Sequence, residues 1–181
     1  RPSSTWDCTT HEIGATLEID STGNIYINGR VSNYNDPLQQ IASSVTNYYG
    51  ADYTSGWKGF QMKINPADGS LVKAYTTGSF NSGGDNIEVD ATRNRSYLSG
   101  YTFGSVNGVS TIGNGDGNGA NDYLIARDET TGAVLWTKMK NDIASSIANN
   151  PATDAIFIVN KGNLESISGT TGSLNWSAPL T

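Results

Sequence analysis

The segment from Asn114 to Asp122 places oxygen-bearing side chains at short, regular spacing, in the order Asn-Gly-Asp-Gly-Asn-Gly-Ala-Asn-Asp. Asn114, Asp116, Asn118 and Asp122 stand at positions one, three, five and nine, and a glycine stands at position six. Calcium takes roughly six to eight oxygen ligands, and a glycine turn lets alternate residues point inward. The spacing predicts a weak Ca²⁺ site to which Ala120 adds its backbone carbonyl. The alternative is a metal-free hairpin loop in which Asp122 starts a strand.

Two further motifs, Asn94-Arg-Ser96 and Asn175-Trp-Ser177, match the acceptor pattern for N-glycosylation. Asn94 falls in a predicted turn between two strands, where a glycan projects into solvent. Asn175 alternates with apolar neighbours on a predicted outer strand. Both are therefore candidate glycan sites if the source is a eukaryotic secreted protein, and the alternative is chance occurrence in a chain rich in Asn and Ser.

The residues needed for hydrolytic chemistry do not form a recognisable set. His11 is the only histidine, so a Ser-His-Asp triad would have to use it, yet it lies near the N-terminus outside any nucleophile turn. Asp52, Asp85, Glu88 and Asp90 could supply a carboxylate pair, but no spacing marks two of them as partners. The sequence therefore predicts a protein without catalytic activity, with a hydrolase or quinoprotein-type enzyme as the alternative.

Composition and charge narrow the class of partner. The 181 residues include 21 glycines, only 15% are charged, and the net charge is −6 without a cluster of Lys or Arg. Nucleic acids and anionic membrane surfaces attract basic faces, so neither is expected as a partner. No apolar run approaches the roughly 20 residues of a membrane-spanning helix. We therefore expect no nucleic acid and no membrane span.

Cys8 is the only cysteine, which excludes an internal disulfide and a cysteine-based zinc site in this chain. A buried thiol and a disulfide to a cysteine outside this sequence are both compatible with it. The chain begins at Arg1 without Met. We therefore expect a processed product or a piece of a longer protein.

The elements that would position these residues repeat along the chain. Three units, at about residues 12–77, 84–140 and 142–178, share an order of four short strands. Their last two strands flank turns that end in Gly69, Gly132 and Gly172, and glycine supplies the positive φ that such a turn needs. Alternation of apolar residues, as in Ile25 and Ile27, indicates strands with one buried face.

A four-stranded unit with two apolar faces cannot bury itself and has to stack on a copy. The sequence therefore predicts one all-β domain over residues 1–181, built from four-stranded antiparallel blades of the β-propeller type. About three blades are present, preceded by an N-terminal stub that includes Trp6. Because closed propellers have about four to eight blades, we expect the chain to be part of a larger propeller or assembly.

Several of these segments resemble a known family. Gly23-Asn-Ile-Tyr-Ile-Asn-Gly29, the run from Gly59 to Gly69 and the run from Gly83 to Asp90 resemble the β-propeller repeat (SBBP) family of secreted proteins. The end of the third unit, with Thr-Thr-Gly172 and then Trp176, resembles the quinoprotein-type (PQQ-like) blade. The loop at 114–122 resembles the calcium loop of integrin-type blades. These resemblances imply the blade fold and a secreted or surface-attached location.

The function expected from these features is structural: an extracellular protein of a surface layer, appendage or filament, which self-associates through exposed blade faces. The alternative is a carbohydrate- or protein-binding module that uses the loops Ser32–Gly56 and Ser105–Asn121. The first loop is rich in tyrosine, and aromatic rings stack on sugars. The same rings could equally cover the edge of their own blade.

Overall fold

A computed structural model describes residues 12–31, 48–49, 58–77, 82–107, 109, 121–141 and 143–180. Within these ranges the secondary structure is entirely β, with thirteen strands and no helix. Trp6, Cys8 and His11 lie outside the described residues, as does most of the tyrosine-rich loop.

The described strands form three sheets. Sheet 1 contains β1 (Glu12–Ile19), β2 (Ile25–Val31), β4 (Lys58–Ile64) and β5 (Leu71–Thr77), with the two-residue β3 (Tyr48–Tyr49) at its outer edge. Sheet 2 contains β6 (Gly83–Asp90), β7 (Arg95–Thr102), β8 (Asn121–Asp128) and β9 (Val134–Lys140). Sheet 3 contains β10 (Ile143–Asn150), β11 (Ala155–Asn160), β12 (Asn163–Ser168) and β13 (Leu174–Pro179).

In each sheet the four main strands pair antiparallel in chain order, which confirms the predicted all-β organisation into three four-stranded units. The short β3 is an addition that the sequence did not predict. It pairs parallel with β5 and so extends the outer edge of sheet 1.

The turn between the last two strands is the same in all three sheets. Gly69, Gly132 and Gly172 have φ values of 71°, 76° and 69°, in the left-handed region that glycine enters without strain. Each glycine N–H donates to the carbonyl four residues earlier, over 2.9 Å for Gly69 and 2.8 Å for the other two. The predicted glycine turns are therefore confirmed.

The turn between the first two strands also repeats, although its residue type varies. The left-handed position is taken by Gly23, Asn94 and Asp154, with φ values of 87°, 53° and 52°. Asn and Asp tolerate this region better than other side chains, since a short polar group can bond the local backbone. These three residues and the three turn glycines define equivalent positions in the three sheets.

The sheets pack face to face. For each sheet, we call the face toward the preceding sheet its front face and the face toward the following sheet its back face. The back face of sheet 1 packs on the front face of sheet 2 around Tyr26, Ile87, Leu98, Tyr123 and Ile125. The back face of sheet 2 packs on the front face of sheet 3 around a second cluster, which contains Tyr97, Leu124, Ala126, Ile147, Ile156, Ile158 and Ile167.

Candidate functional site

The joint between sheets 1 and 2 is held by a buried polar group. Gln61 Nε2 donates to Glu129 Oε1 over 2.7 Å and to Ser96 Oγ over 2.9 Å, and the Ser96 hydroxyl donates to the same carboxylate oxygen. All three residues are buried. Beside them Lys73 Nζ donates to the backbone carbonyl of Glu129 and, over 3.1 Å, to that of Thr130.

The joint between sheets 2 and 3 has an equivalent of the Lys73 contact, in which a tryptophan side chain donates to a backbone carbonyl of the next sheet. Trp136 Nε1 donates over 2.9 Å to the carbonyl of Gly169, and the Trp136 ring packs beside Tyr97 with centroids 6.3 Å apart. A Cβ on Gly172 would approach the Trp136 ring to 2.8 Å, so the turn of sheet 3 sits directly on this indole. Only glycine fits that approach without displacing the ring.

The same joint contains an ion pair. Lys140 Nζ of sheet 2 lies 2.7 Å from Glu165 Oε2 of sheet 3, and Asn160 Nδ2 donates to the other carboxylate oxygen over 2.8 Å. Burial opposes ionisation of Glu165, but the hydrogen bonds from Lys140 and Asn160 outweigh it and leave the pKa of Glu165 below its usual value. The pair therefore joins two sheets as a charged contact.

The front face of sheet 1 is apolar. It is exposed at its β1 edge, whereas Phe60 of β4, on the same face, is only 3% exposed and packs against Ile27 and Met62. Leu17 and Ile19 are 58% and 56% exposed. Their cross-strand partners are Ile27 and Ile25, which in turn pair with Met62 and Ile64. Because register partners share a face of an antiparallel sheet, these six residues form one continuous apolar surface.

The back face of sheet 3 is the second exposed surface. All six residues of β13 are exposed, and Trp176 retains 45% of its accessible surface. Trp176 packs beside Phe157 with ring centroids 6.0 Å apart, much as Trp136 packs beside Tyr97. Leu164 and Ala178 continue this face along the neighbouring register. We call the front face of sheet 1 and the back face of sheet 3 the two end faces.

Comparison with known proteins adds no family to this description. No family model matches the chain. No curated protein matches it either. The similarity to the SBBP and PQQ-like blades therefore remains a resemblance of short motifs.

The predicted calcium loop falls largely outside the described residues. Asn114, Asp116, Asn118 and Ala120 are not described. Asp122 is the second residue of β8, and its Oδ2 accepts the backbone N–H of Ile143 over 2.7 Å. Among the described residues no group of acidic, His or Cys side chains could hold a metal ion. Calcium binding therefore stays a prediction.

The two glycosylation candidates lie at exposed positions. Asn94 occupies the left-handed position of the turn between β6 and β7, and its side-chain amide donates to Thr130 Oγ1. Asn175 lies on the exposed strand β13, and its amide is 3.3 Å from Ser166 Oγ. Modification of either residue remains a prediction.

Two of the four carboxylates that were candidates for catalysis, Glu88 and Asp90, make side-chain contacts in the structure. Glu88 accepts a hydrogen bond of 2.8 Å from Asn149 Nδ2 across the joint of sheets 2 and 3, and Asp90 forms a 3.0 Å ion pair with Arg93. Burial, with the charge of Asp122, raises the pKa of Asp85. Burial, with the charge of Glu18, raises the pKa of Glu88. Asp52 lies outside the described residues.

Sequence reasoning missed Gln61 and Glu129, which join sheets 1 and 2. They carry no motif and bond each other across 68 positions. Trp136 ends a Thr-Thr-Gly-x-x-x-Trp run that Trp176 repeats, but its hydrogen-bond partner Gly169 lies 33 positions away and was not predicted. The available signal was position: Glu129 stands three residues before a turn glycine, and Trp136 four residues after it. Within the described residues, no helix is long and apolar enough to cross a membrane.

Proposed function

We propose that this chain is a non-catalytic structural protein of an extracellular assembly, and that it works as a stack of propeller-type blades. The observation that carries the proposal is the exposure of two apolar end faces at positions that are buried at the internal joints. Leu17 is the counterpart of the buried Ile87, and Ile19 is the counterpart of the buried Val89. A folded monomer gains nothing from exposing such a surface.

The arrangement of the sheets supports the propeller type of stacking. Among the described strands, β6 of sheet 2 lies against both β1 and β2 of sheet 1 and against β10 of sheet 3. Inner strands meet in this way around the axis of a propeller. Three sheets fall short of the smallest closed ring, so further sheets have to come from outside the described residues.

Head-to-tail contact between unlike faces produces a ring when the rotation closes and a fibre when it does not. In both cases the expected product is larger than one chain. The exposed sequon at Asn94 supports an extracellular setting for this assembly.

The proposal is tested by light scattering on the purified 181-residue chain over a hundredfold range of concentration, with electron microscopy of the largest species. We expect a mass that rises with concentration and discs or rods that are several sheets across. A monodisperse monomer at the highest concentration would contradict the proposal.

A further inference from the structure

We infer that the back face of sheet 3 binds the front face of sheet 1 of a second copy, with Trp176 donating a hydrogen bond to the carbonyl of Pro66. This inference rests on the proposed function and specifies its contact. The internal joints show which residue positions meet when one sheet stacks on the next, and the same positions can be located on the two end faces.

The first equivalence concerns the hydrogen bond beside the turn. At both internal joints, the residue four places after the turn glycine donates to the carbonyl three places before the next turn glycine. Lys73 meets Glu129 in this way, and Trp136 meets Gly169. The geometry of the joint therefore requires a donor on one sheet and a backbone carbonyl on the other, and it accepts either an ammonium or an indole.

At the end faces the same positions hold Trp176 and Pro66. An indole N–H is a donor only, and proline keeps its backbone carbonyl although it lacks an N–H. The ring beside this contact also changes. Phe157 occupies the position that Tyr97 has at the internal joint. The Tyr97 hydroxyl lies beside Gly169, and at the end contact its absence from Phe157 leaves no hydroxyl against the ring of Pro66.

The second equivalence concerns the ion pair Lys140–Glu165. Lys140 lies eight residues after its turn glycine, where the back face of sheet 3 has Leu180. Glu165 lies seven residues before its turn glycine, where the front face of sheet 1 has Met62. A charged pair inside the molecule thus corresponds to an apolar pair at the ends.

The third equivalence concerns Gln61 and Ser96, which bond across the first joint. Their counterparts at the ends are Leu164 on the back face of sheet 3 and Ile25 on the front face of sheet 1. The two polar partners are again replaced together. A single replacement would leave a buried polar group without a partner, which is costly, whereas a joint replacement is not.

A fourth pair follows the same rule. Arg95 donates to Thr170 Oγ1 over 3.0 Å at the second joint. The corresponding positions at the ends hold Ala155 and Ala67. Three polar pairs from two different joints therefore map onto three apolar pairs, although the two members of each apolar pair lie far apart in the sequence and on opposite ends of the molecule.

The occupant that satisfies these matches is a second copy of this chain, because its front face of sheet 1 carries the complementary member of every pair. The contact is heterologous, since unlike faces meet, so it propagates from copy to copy. It also gives each copy the fourth sheet that its own three cannot supply.

The test is a double-mutant cycle on self-association of the full chain, with Met62→Glu, Leu180→Lys and the two together. Each single substitution leaves one charge in an apolar contact, and we expect association to weaken at least about tenfold. The double variant rebuilds at the end contact the Lys–Glu pair seen between sheets 2 and 3. We expect its association constant to return to within about threefold of the wild type.

The control is Leu135→Lys, which changes an exposed apolar residue of sheet 2 that lies on neither end face. We expect this variant to associate like the wild type. Circular dichroism checks that all variants stay folded, since Leu180 is exposed but Met62 is partly buried against Phe60.

The outcomes separate this inference from the proposed function. If the wild type associates but the double variant is as weak as the singles, or if L135K weakens association as much as M62E, the assembly exists and this contact is wrong. If the wild type is a monomer at every concentration, both proposals fail.

Discussion

Asp20 holds the first hairpin turn through four hydrogen bonds from two residues. Its carboxylate accepts from the backbone and side chain of Thr22 at 2.9 and 2.7 Å, and from the backbone and side chain of Asn24 at 3.0 and 2.9 Å. Partial burial opposes ionisation, but these hydrogen bonds outweigh it and lower the pKa of Asp20 to about 2. A single side chain thus makes the stability of this turn dependent on pH.

The sign of that dependence follows from the lowered pKa. Because the folded chain holds Asp20 ionised more readily than the unfolded chain does, its contribution is present above about pH 4 and is lost as the pH falls toward 2. We expect Asp20→Asn to flatten the fall in the free energy of unfolding over this window. Asn150 occupies the equivalent turn of sheet 3, so the fold accepts Asn there. Urea unfolding of both proteins between pH 2 and pH 6 measures the difference, and equal slopes would refute it.

Gln61 stabilises the joint between sheets 1 and 2 through two buried hydrogen bonds. Gln61→Leu removes two hydrogen bonds and leaves the Glu129 carboxylate buried with Ser96 as its remaining side-chain donor. We expect a loss of about 1–3 kcal/mol in the free energy of unfolding, measured by urea titration. Leu is an acceptable shape here, since Leu124 is the counterpart in sheet 2. A second change, Glu129→Gln, should recover part of the loss. Additive effects of the two changes would show that Gln61 acts by shape alone.

At the scale of strands and turns, much of the fold could be predicted because its signals are local. The glycines at 69, 132 and 172 predict their turns, and the alternation of apolar and polar residues predicts the strands. The β-bulges in the first strands, at Gly14/Thr16 and Gly84/Asn86, were not predicted because a bulge is a relation between two strands. The stacking of the sheets was predicted, but the partners that bond across the joints, such as Gln61 and Glu129, were missed for the same reason. These residues bond across distances in sequence that no local pattern encodes.

Gly69 and Gly172 have nearly the same φ but different surroundings. Alanine substitutions at the two positions therefore distinguish the energetic cost of backbone strain from that of a packing clash. A Cβ at Gly69 meets nothing within 4 Å, whereas a Cβ at Gly172 meets the Trp136 ring at 2.8 Å. We expect Gly69→Ala to cost only the strain of a left-handed alanine, about 1–2 kcal/mol. Gly172→Ala should cost at least about 1 kcal/mol more, because the indole has to move. Chemical denaturation compares the two variants, and equal losses would mean that the ring yields freely.

At the scale of the whole molecule, the described strands form a short one-dimensional array, in which the larger contacts between sheets join sheet 2 to sheet 1 and sheet 2 to sheet 3. Such arrays need end units with polar outer faces to stay soluble as single copies. Both ends here are apolar instead, with Leu17 at one and Trp176 at the other. At the described positions, three polar pairs of the interior joints correspond to apolar residues at the ends, and the Trp136 donor corresponds to Trp176. This reversal of the usual order is the physical basis for expecting the array to continue beyond one chain.

The turn glycine Gly69 should also contribute to self-association. If a second copy docks as inferred, its Gly69 lies on Trp176 as Gly172 lies on Trp136, so a Cβ that meets open space in one chain would strike a ring in the assembly. We expect Gly69→Ala to weaken self-association by about tenfold or more, measured by sedimentation equilibrium. Gly23→Ala is the matched control, because Gly23 also has a positive φ and open space around its Cβ. Its strain is similar, but it lies in the other turn of sheet 1. Equal association of the two variants would show that Gly69 faces solvent in the assembly and that the contact lies elsewhere.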